Sequence, residues 1–351
     1  MTGLERTRAA IRGQPVDRIP VFPILIAPAC QLVGVPQKRY NLDPAAMADT
    51  LIRAREMCGF DGIYVSRDNW VYHQALGGAL EFPDDDESFT ATPLLSSLED
   101  WTRLRVPDPW RADGMQTVLA AARDVMRRAG SGFYVQANID TGPFSLAAVL
   151  RGTQSFLVDI ATEDPEKVRG LLDFCAEVVI EYGKAMIATG VHGIQFGDAT
   201  ASLVSPADFE RFVRPGQQRV LAALAAGSDT DLWIHICGKT DHLLPLLREL
   251  PFQGFEVDAK VDLGTARRLL GSRIALKGNL DTTFLLQRTS GEVYDACRQM
   301  LAQGDFSTGL VLSPGCGVPR YTPIENLKAM VRACQDHGAP QPTGGERATG
   351  S

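Results

Sequence analysis

His235-Ile236-Cys237-Gly238 closes an apolar run, and a second cysteine, Cys316, stands in Ser313-Pro314-Gly315-Cys316-Gly317. On a strand, residues two apart share a face, so His235 and Cys237 point the same way. One imidazole and two thiolates form a borderline-soft N/S set of the kind zinc takes. Three protein ligands leave the fourth tetrahedral position open, which a catalytic site needs and a structural site lacks. A free thiol has a pKa near 8.5, and coordination to Zn²⁺ removes its proton. Two cysteinates and a neutral histidine cancel the charge of the dication, so a thiolate bound there keeps its electron density. Sites that sharpen water more often use histidines and a carboxylate. The ligand set therefore favours alkyl transfer over hydrolysis.

These residues need a scaffold that presents strand ends together. Short β-branched or aromatic runs alternate with longer helical patterns, and eight strands are expected: 19–26, 62–65, 133–137, 193–196, 232–237, 254–257, 273–276 and 309–312. Eight strands with helices between them predict a single-domain (β/α)8 TIM-like barrel. Cys237 and Cys316 each end a predicted strand and precede a glycine, which places them on the catalytic rim of such a barrel. Asp164-Pro165 starts a helix whose apolar face carries Val168, Leu171, Leu172, Cys175, Val179, Tyr182 and Met186. Ser205-Pro206-Ala207-Asp208 and Thr322-Pro323-Ile324-Glu325 both read as a hydroxyl cap with an acid three residues on. The last helix packs through Leu327, Met330, Val331 and Cys334. Residues 77–113, rich in Pro, Asp and Ser, form a long excursion between the second and third predicted strands. The domain is expected over residues 1–337, with a disordered tail over 338–351.

The other thiols read differently. Helical phase puts Cys175, Cys297 and Cys334 on apolar faces, and Cys58 beside Gly59 at a helix end joins them as small buried hydrophobes. Cys30 is undecided. His242 is a helix-start residue, and His73, His192 and His337 have no metal spacing. The seven cysteines are scattered, without a disulfide framework, and suit a reducing cytoplasm. The net charge of −7 and the lack of a basic, aromatic-studded patch argue against a nucleic-acid partner. No apolar stretch reaches membrane-spanning length.

A ligating histidine needs a partner for its second ring nitrogen. Asp198 and Asp258, at the ends of the fourth and sixth predicted strands, are the catalytic candidates, either orienting His235 or touching substrate. Asp68, Asn138, Asp140, Gln195 and Asn279, with Asn69 and Asp281, complete a polar rim for substrate. Asp198, Asp258 and Asn279-Leu280-Asp281 read equally well as loop or helix caps.

From the third predicted strand to the last helix the chain resembles the uroporphyrinogen decarboxylase superfamily, in its zinc-dependent corrinoid methyltransferase branch. The resemblance rests on Thr141-Gly142-Pro143-Phe144, Gly193-Ile194-Gln195-Phe196-Gly197-Asp198, His235-Ile236-Cys237-Gly238, Lys277-Gly278-Asn279-Leu280-Asp281 and Leu312-Ser313-Pro314-Gly315-Cys316-Gly317-Val318-Pro319, with Ala75-Leu76-Gly77-Gly78-Ala79-Leu80-Glu81-Phe82 beside them. It implies a distorted barrel, zinc on His235, Cys237 and Cys316, and a small thiol or methyl ether exchanging a methyl group with the cobalt of a corrinoid. No Asp-x-His-x-x-Gly cobalamin motif occurs, so the corrinoid would arrive on a partner protein. The family's decarboxylases carry an Arg-Gln-Ala-Gly-Arg stretch where this chain reads Ile24-Leu25-Ile26-Ala27-Pro28-Ala29-Cys30, and tend to have His-Gly in place of Cys316-Gly317. A cofactor-free decarboxylase is thus the rival reading, and a non-catalytic zinc protein a third. Methyltransferases of the branch often show Asp-Glu-Lys where this chain has Asp258-Ala259-Lys260, which leaves the fourth zinc position to water, Glu256 or Asp258.

Overall fold

The computed structural model describes residues 1–90, 92–303 and 308–338. Seven strands form one sheet in sequence order: β1 (Gly62–Val65), β2 (Tyr134–Thr141), β3 (Gly193–Gly197), β4 (Asp231–Ile236), β5 (Gly254–Val257), β6 (Ala275–Leu280) and β7 (Leu310–Pro314). Every neighbouring pair is parallel. Parallel neighbours require crossovers, supplied by helices such as Met115–Ala129, Pro165–Ile187 and Arg214–Ala225. All seven C-terminal ends therefore emerge on one face.

The first expected strand, 19–26, is the exception. It makes a single parallel bridge, Val21 to Leu312 of β7. Pro20 and Pro23 have no N–H to donate, so a regular ladder cannot form there. The segment nevertheless closes the barrel. Leu312 N–H donates to the Pro20 carbonyl at 2.8 Å, Val318 N–H to that of Ile24 at 3.0 Å, and Asp61 N–H, just before β1, to that of Val21 at 2.9 Å. The Asp61 carboxylate completes the seam, accepting from Val21 N–H (2.8 Å), Arg6 (2.6 Å) and Arg18 (2.7 and 2.9 Å). The chain thus folds as a distorted (β/α)8 barrel whose eighth stave is irregular.

Local chemistry sets the remaining elements. The side chain of Asp164 caps the helix Pro165–Ile187 through Glu166 N–H, and Ser205 accepts from Asp208 N–H at 3.1 Å. Thr322 does not cap the last helix. Its hydroxyl donates to the Pro319 carbonyl at 2.8 Å, and the helix Ile324–His337 starts after Pro323 with no side-chain cap. Cys30, Cys58, Cys175, Cys297 and Cys334 are all buried in apolar surroundings. The excursion at 77–113 contains only the 3-10 turn Leu98–Arg103 and one bridge, Glu81 to Phe89, among its described residues. The tail expected to be disordered lies, beyond Gly338, outside the described residues.

The N-terminal end of the barrel is filled by rings. Gly193 and Gly254 open their strands because a side chain at either would strike the Tyr134 hydroxyl or the Trp233 indole. Phe22, Tyr134 and Trp233 are fully buried there, with the Tyr134 hydroxyl donating to Asp231 at 2.9 Å.

Candidate metal centre

His235 is the penultimate residue of β4, and Cys237 follows the strand end. Gly238 then turns in the left-handed region, φ 92°, which only glycine enters without strain. Its N–H donates to Asp258 at 2.8 Å, and the other Asp258 oxygen accepts from Lys260 N–H at 2.8 Å. The loops after β4 and β5 are tied together in this way. The loop after β7 passes directly against them: a side chain at Gly315 would lie 2.3 Å from the Ala259 nitrogen. Glycine at that position lets Cys316 approach Cys237.

The three side chains converge. His235 Nε2 lies 3.0 Å from Cys237 Sγ, the sulfurs are 3.9 Å apart, and all three ligand atoms fall within 4.8 Å of one another. Two sulfurs on a tetrahedral zinc with bonds of about 2.3 Å stand about 3.8 Å apart, so the pair is already at the right separation. The nitrogen-to-sulfur gap would open by about 0.5 Å on the same geometry. His235 is buried and both cysteines are partly exposed, so the ligand set faces the mouth of the barrel. Among the described residues no fourth His, Cys, Asp or Glu joins the cluster. Neither Glu256 nor Asp258 is therefore placed to close it.

The three groups share protons that a metal ion would displace on binding. Hydrogen bonding from Cys237, and then from His235, holds the Cys316 thiol well below its usual range against the opposing effect of burial. Cys237, whose proton that bond shares, is pushed up, and burial adds to the effect. Burial drives His235 down, but the Cys316 thiolate and Glu256 outweigh it and raise the ring to about 9.

The second ring nitrogen of His235 is held by the main-chain carbonyl of Glu256, at 3.0 Å, and by neither expected carboxylate. Asp198 is fully buried, and its oxygens are taken by Ser145 N–H at 2.8 Å and Gln217 Nε2 at 2.9 Å. It docks the helix Pro143–Arg151 onto the end of β3, beside the positive pole of that helix. Asp258 serves the loops just described.

The substrate candidates divide into groups. Asn138 Nδ2 donates to the Tyr64 hydroxyl at 2.7 Å, and that hydroxyl donates to Gln195 Oε1 at 2.6 Å. Tyr64, absent from the expected set, is the hub of this wall. Asn279 turns aside and holds the loop after β5 through the carbonyls of Asp258 (3.1 Å) and Val261 (2.6 Å). Asp68 is engaged by Arg67 at 2.8 Å, by Ser88 and by Trp70 N–H at 2.9 Å. Asp140 accepts from Tyr72 N–H at 2.9 Å, and its other oxygen is buried without a partner.

Asp140 also has the left-handed φ of 65°. Burial, reinforced by the charge of Asp68 against the Tyr72 hydrogen bond, raises its pKa to about 7. An acid whose folded pKa exceeds its unfolded one loses stability as pH rises, here between about 4 and 7. Asp140→Asn, which keeps the acceptor for Tyr72 and tolerates the backbone angle, should match wild type at pH 4 and gain up to about 4 kcal/mol at pH 8. Urea unfolding at both pH values measures this, and an equal effect at both would refute it.

The chain is similar to known proteins over nearly its whole length. A methylated-thiol:coenzyme M methyltransferase of Methanosarcina mazei is 28% identical over 347 residues, covering 97% of this chain and 91% of that protein. A methylcobamide:CoM methyltransferase of Methanosarcina barkeri is 29% identical over 345 residues, covering 95% and 98%. A solved methyltransferase structure from Methanosarcina mazei superposes with a TM-score of 0.87 at 25% identity, covering 96% of this chain and 99% of that one. The match to the family described as uroporphyrinogen decarboxylase (URO-D) runs over residues 2–337, and the chain belongs to that family.

Proposed function

We propose that this chain is a zinc-dependent methyltransferase that moves a methyl group between a small thiol or methyl ether and the cobalt of a corrinoid carried by a partner protein. The observation that carries the reading is the three-membered His235, Cys237, Cys316 cluster, open at its fourth position among the described residues. The relatives named as methyltransferases support it. Zinc, when bound, supplies a Lewis acid that keeps a thiol deprotonated or polarises an ether oxygen.

The chain's own residues do the rest. His235 and the two cysteines hold the ion, and the Glu256 carbonyl fixes which ring nitrogen faces it. Tyr64, Asn138 and Gln195 form a rigid neutral wall whose hydroxyl and amide groups orient the non-reacting part of the substrate. Asp258 sets the loop that carries Cys237. A decarboxylase acting on a polyanion would need cations after the first stave, where residues 24–30 offer none. Thiolate ligands must stay reduced, which suits the cytoplasm. No helix among the described residues is long and apolar enough to cross a membrane.

Metal analysis of the purified protein, followed by methyl transfer assays, tests the proposal. Zinc at one ion per cluster, with thiol-dependent demethylation of methylcobalamin or ether-dependent methylation of cob(I)alamin, is the expected result. A protein that takes up no zinc under reducing conditions would sink it and bring the decarboxylase reading forward.

A further inference from the structure

Inward positions of such barrels are normally filled by branched apolar side chains. This barrel places an ion pair there. His235, Glu256 and Lys277 are register partners on β4, β5 and β6, so their side chains leave the sheet on one face. Lys277 Nζ lies 2.9 Å from Glu256 Oε1 and 2.8 Å from Gln136 Oε1 of β2, and 4.2 Å from the centre of the Phe22 ring. Lys277, Glu256 and Gln136 are each at most 3% exposed.

Fold stability does not explain the pair. Desolvating two charges costs about as much as their attraction returns, and apolar residues of equal volume are often as stable or more so. A network built for stability would also leave nothing unmet, whereas Glu256 Oε2 and Gln136 Nε2 have no partner among the described residues. What the pair does touch is the metal centre. The main-chain carbonyl of Glu256 receives the Nδ1 hydrogen of His235, the bond that leaves Nε2 directed at Cys237.

We propose that the Glu256–Lys277 pair is the positioning device of the metal centre, fixing the pitch of the Glu256 peptide and through it the tautomer and plane of the His235 ring. Neither residue is a ligand. The contacts run from His235 through the Glu256 peptide and carboxylate to Lys277 and on to Gln136, so the ring is referenced to β4, β5, β6 and β2 together. Outer partners of this kind commonly carry about 10- to 100-fold of metal affinity. The inference rests on the zinc reading above, and its test separates the two.

The variants are Lys277→Met and the double variant Glu256→Gln/Lys277→Met, which removes both charges at nearly constant volume. Co²⁺ affinity is measured by competition with a chromophoric chelator, the ligand-field bands of the Co²⁺ form by visible absorption, and folding by urea denaturation. The double variant should unfold no more easily than wild type, yet bind Co²⁺ about 10- to 100-fold more weakly with displaced bands. Lys277→Met alone should be less stable than the double variant, because it strands the Glu256 charge. A stable double variant with wild-type affinity and wild-type bands would overturn the proposal and leave the pair a fold residue. Wild-type protein that binds no Co²⁺ would overturn the zinc reading itself, and this inference with it.

Discussion

Cys316→Ala is expected to empty the metal centre and abolish methyl transfer while leaving the barrel folded. Cys316 sits in the loop after β7, partly exposed, and contributes no strand hydrogen bond through its side chain. Its sulfur is one of only three ligand atoms in the cluster. Structural zinc sites with four ligands bind with about 10–16 kcal/mol, so each ligand accounts for about 2.5–4 kcal/mol. Removing one from three should weaken binding by about 10²- to 10³-fold, beyond what cellular zinc can restore. The loss should appear as zero zinc after dialysis against a weak chelator, with unchanged far-ultraviolet circular dichroism. Cys175→Ala is the control: that thiol is buried in the core, so its truncation costs stability and leaves zinc stoichiometry untouched. Transfer at the wild-type rate in a zinc-free Cys316→Ala protein would rule out the metal mechanism.

The second large effect is expected at the opposite end of the barrel. Asp61→Ala should cost about 3–5 kcal/mol, a large share of the roughly 5–15 kcal/mol that holds a domain together. The Asp61 carboxylate is almost fully buried and accepts from Arg6, from both ends of the Arg18 guanidinium and from Val21 N–H. Arg6 keeps Asp17 as a second partner at 2.6 Å, but Arg18 has no other carboxylate among its described ion pairs. The substitution therefore strands a cation and unfastens the irregular stave at once. Urea unfolding gives the total, and hydrogen exchange at Val21, Leu312 and Val318 shows whether the seam opens first. A loss below 1 kcal/mol would mean that the stave is held by packing alone.

The site was more legible in the sequence than the scaffold that closes it. His235 and Cys237 announce themselves because strand geometry forces residues two apart onto one face, and Cys316-Gly317 because a thiol beside glycine at a strand end has few structural uses. The strands were legible where β-branched runs begin at glycine, as at Gly62, Gly193 and Gly254. Pro20 and Pro23 misled within an apolar run that packs like a strand but cannot bond like one. β2 runs on to Thr141, past the expected end, because Asn138 and Asp140 are polar residues turned into a polar barrel interior. The partner of His235 could not be read at all, since a main-chain carbonyl leaves no mark on residue identity. Tyr64 and Lys277 did leave one. A hydroxyl and a cation within otherwise apolar barrel strands signal an interior that binds rather than merely packs.

The rings of Phe22, Tyr134 and Trp233 that fill the lower barrel have a kinetic meaning. They plug the barrel at the end opposite the partly exposed cysteine ligands. A small reactant and a bulky carrier that both approach from the ligand end cannot arrive in arbitrary sequence. On the proposed function, the small molecule would enter first, the carrier would sit over it, and the carrier would leave before the small product escapes. Initial-rate patterns for the reaction should therefore be those of a compulsory order, written by three aromatic side chains that never touch the chemistry.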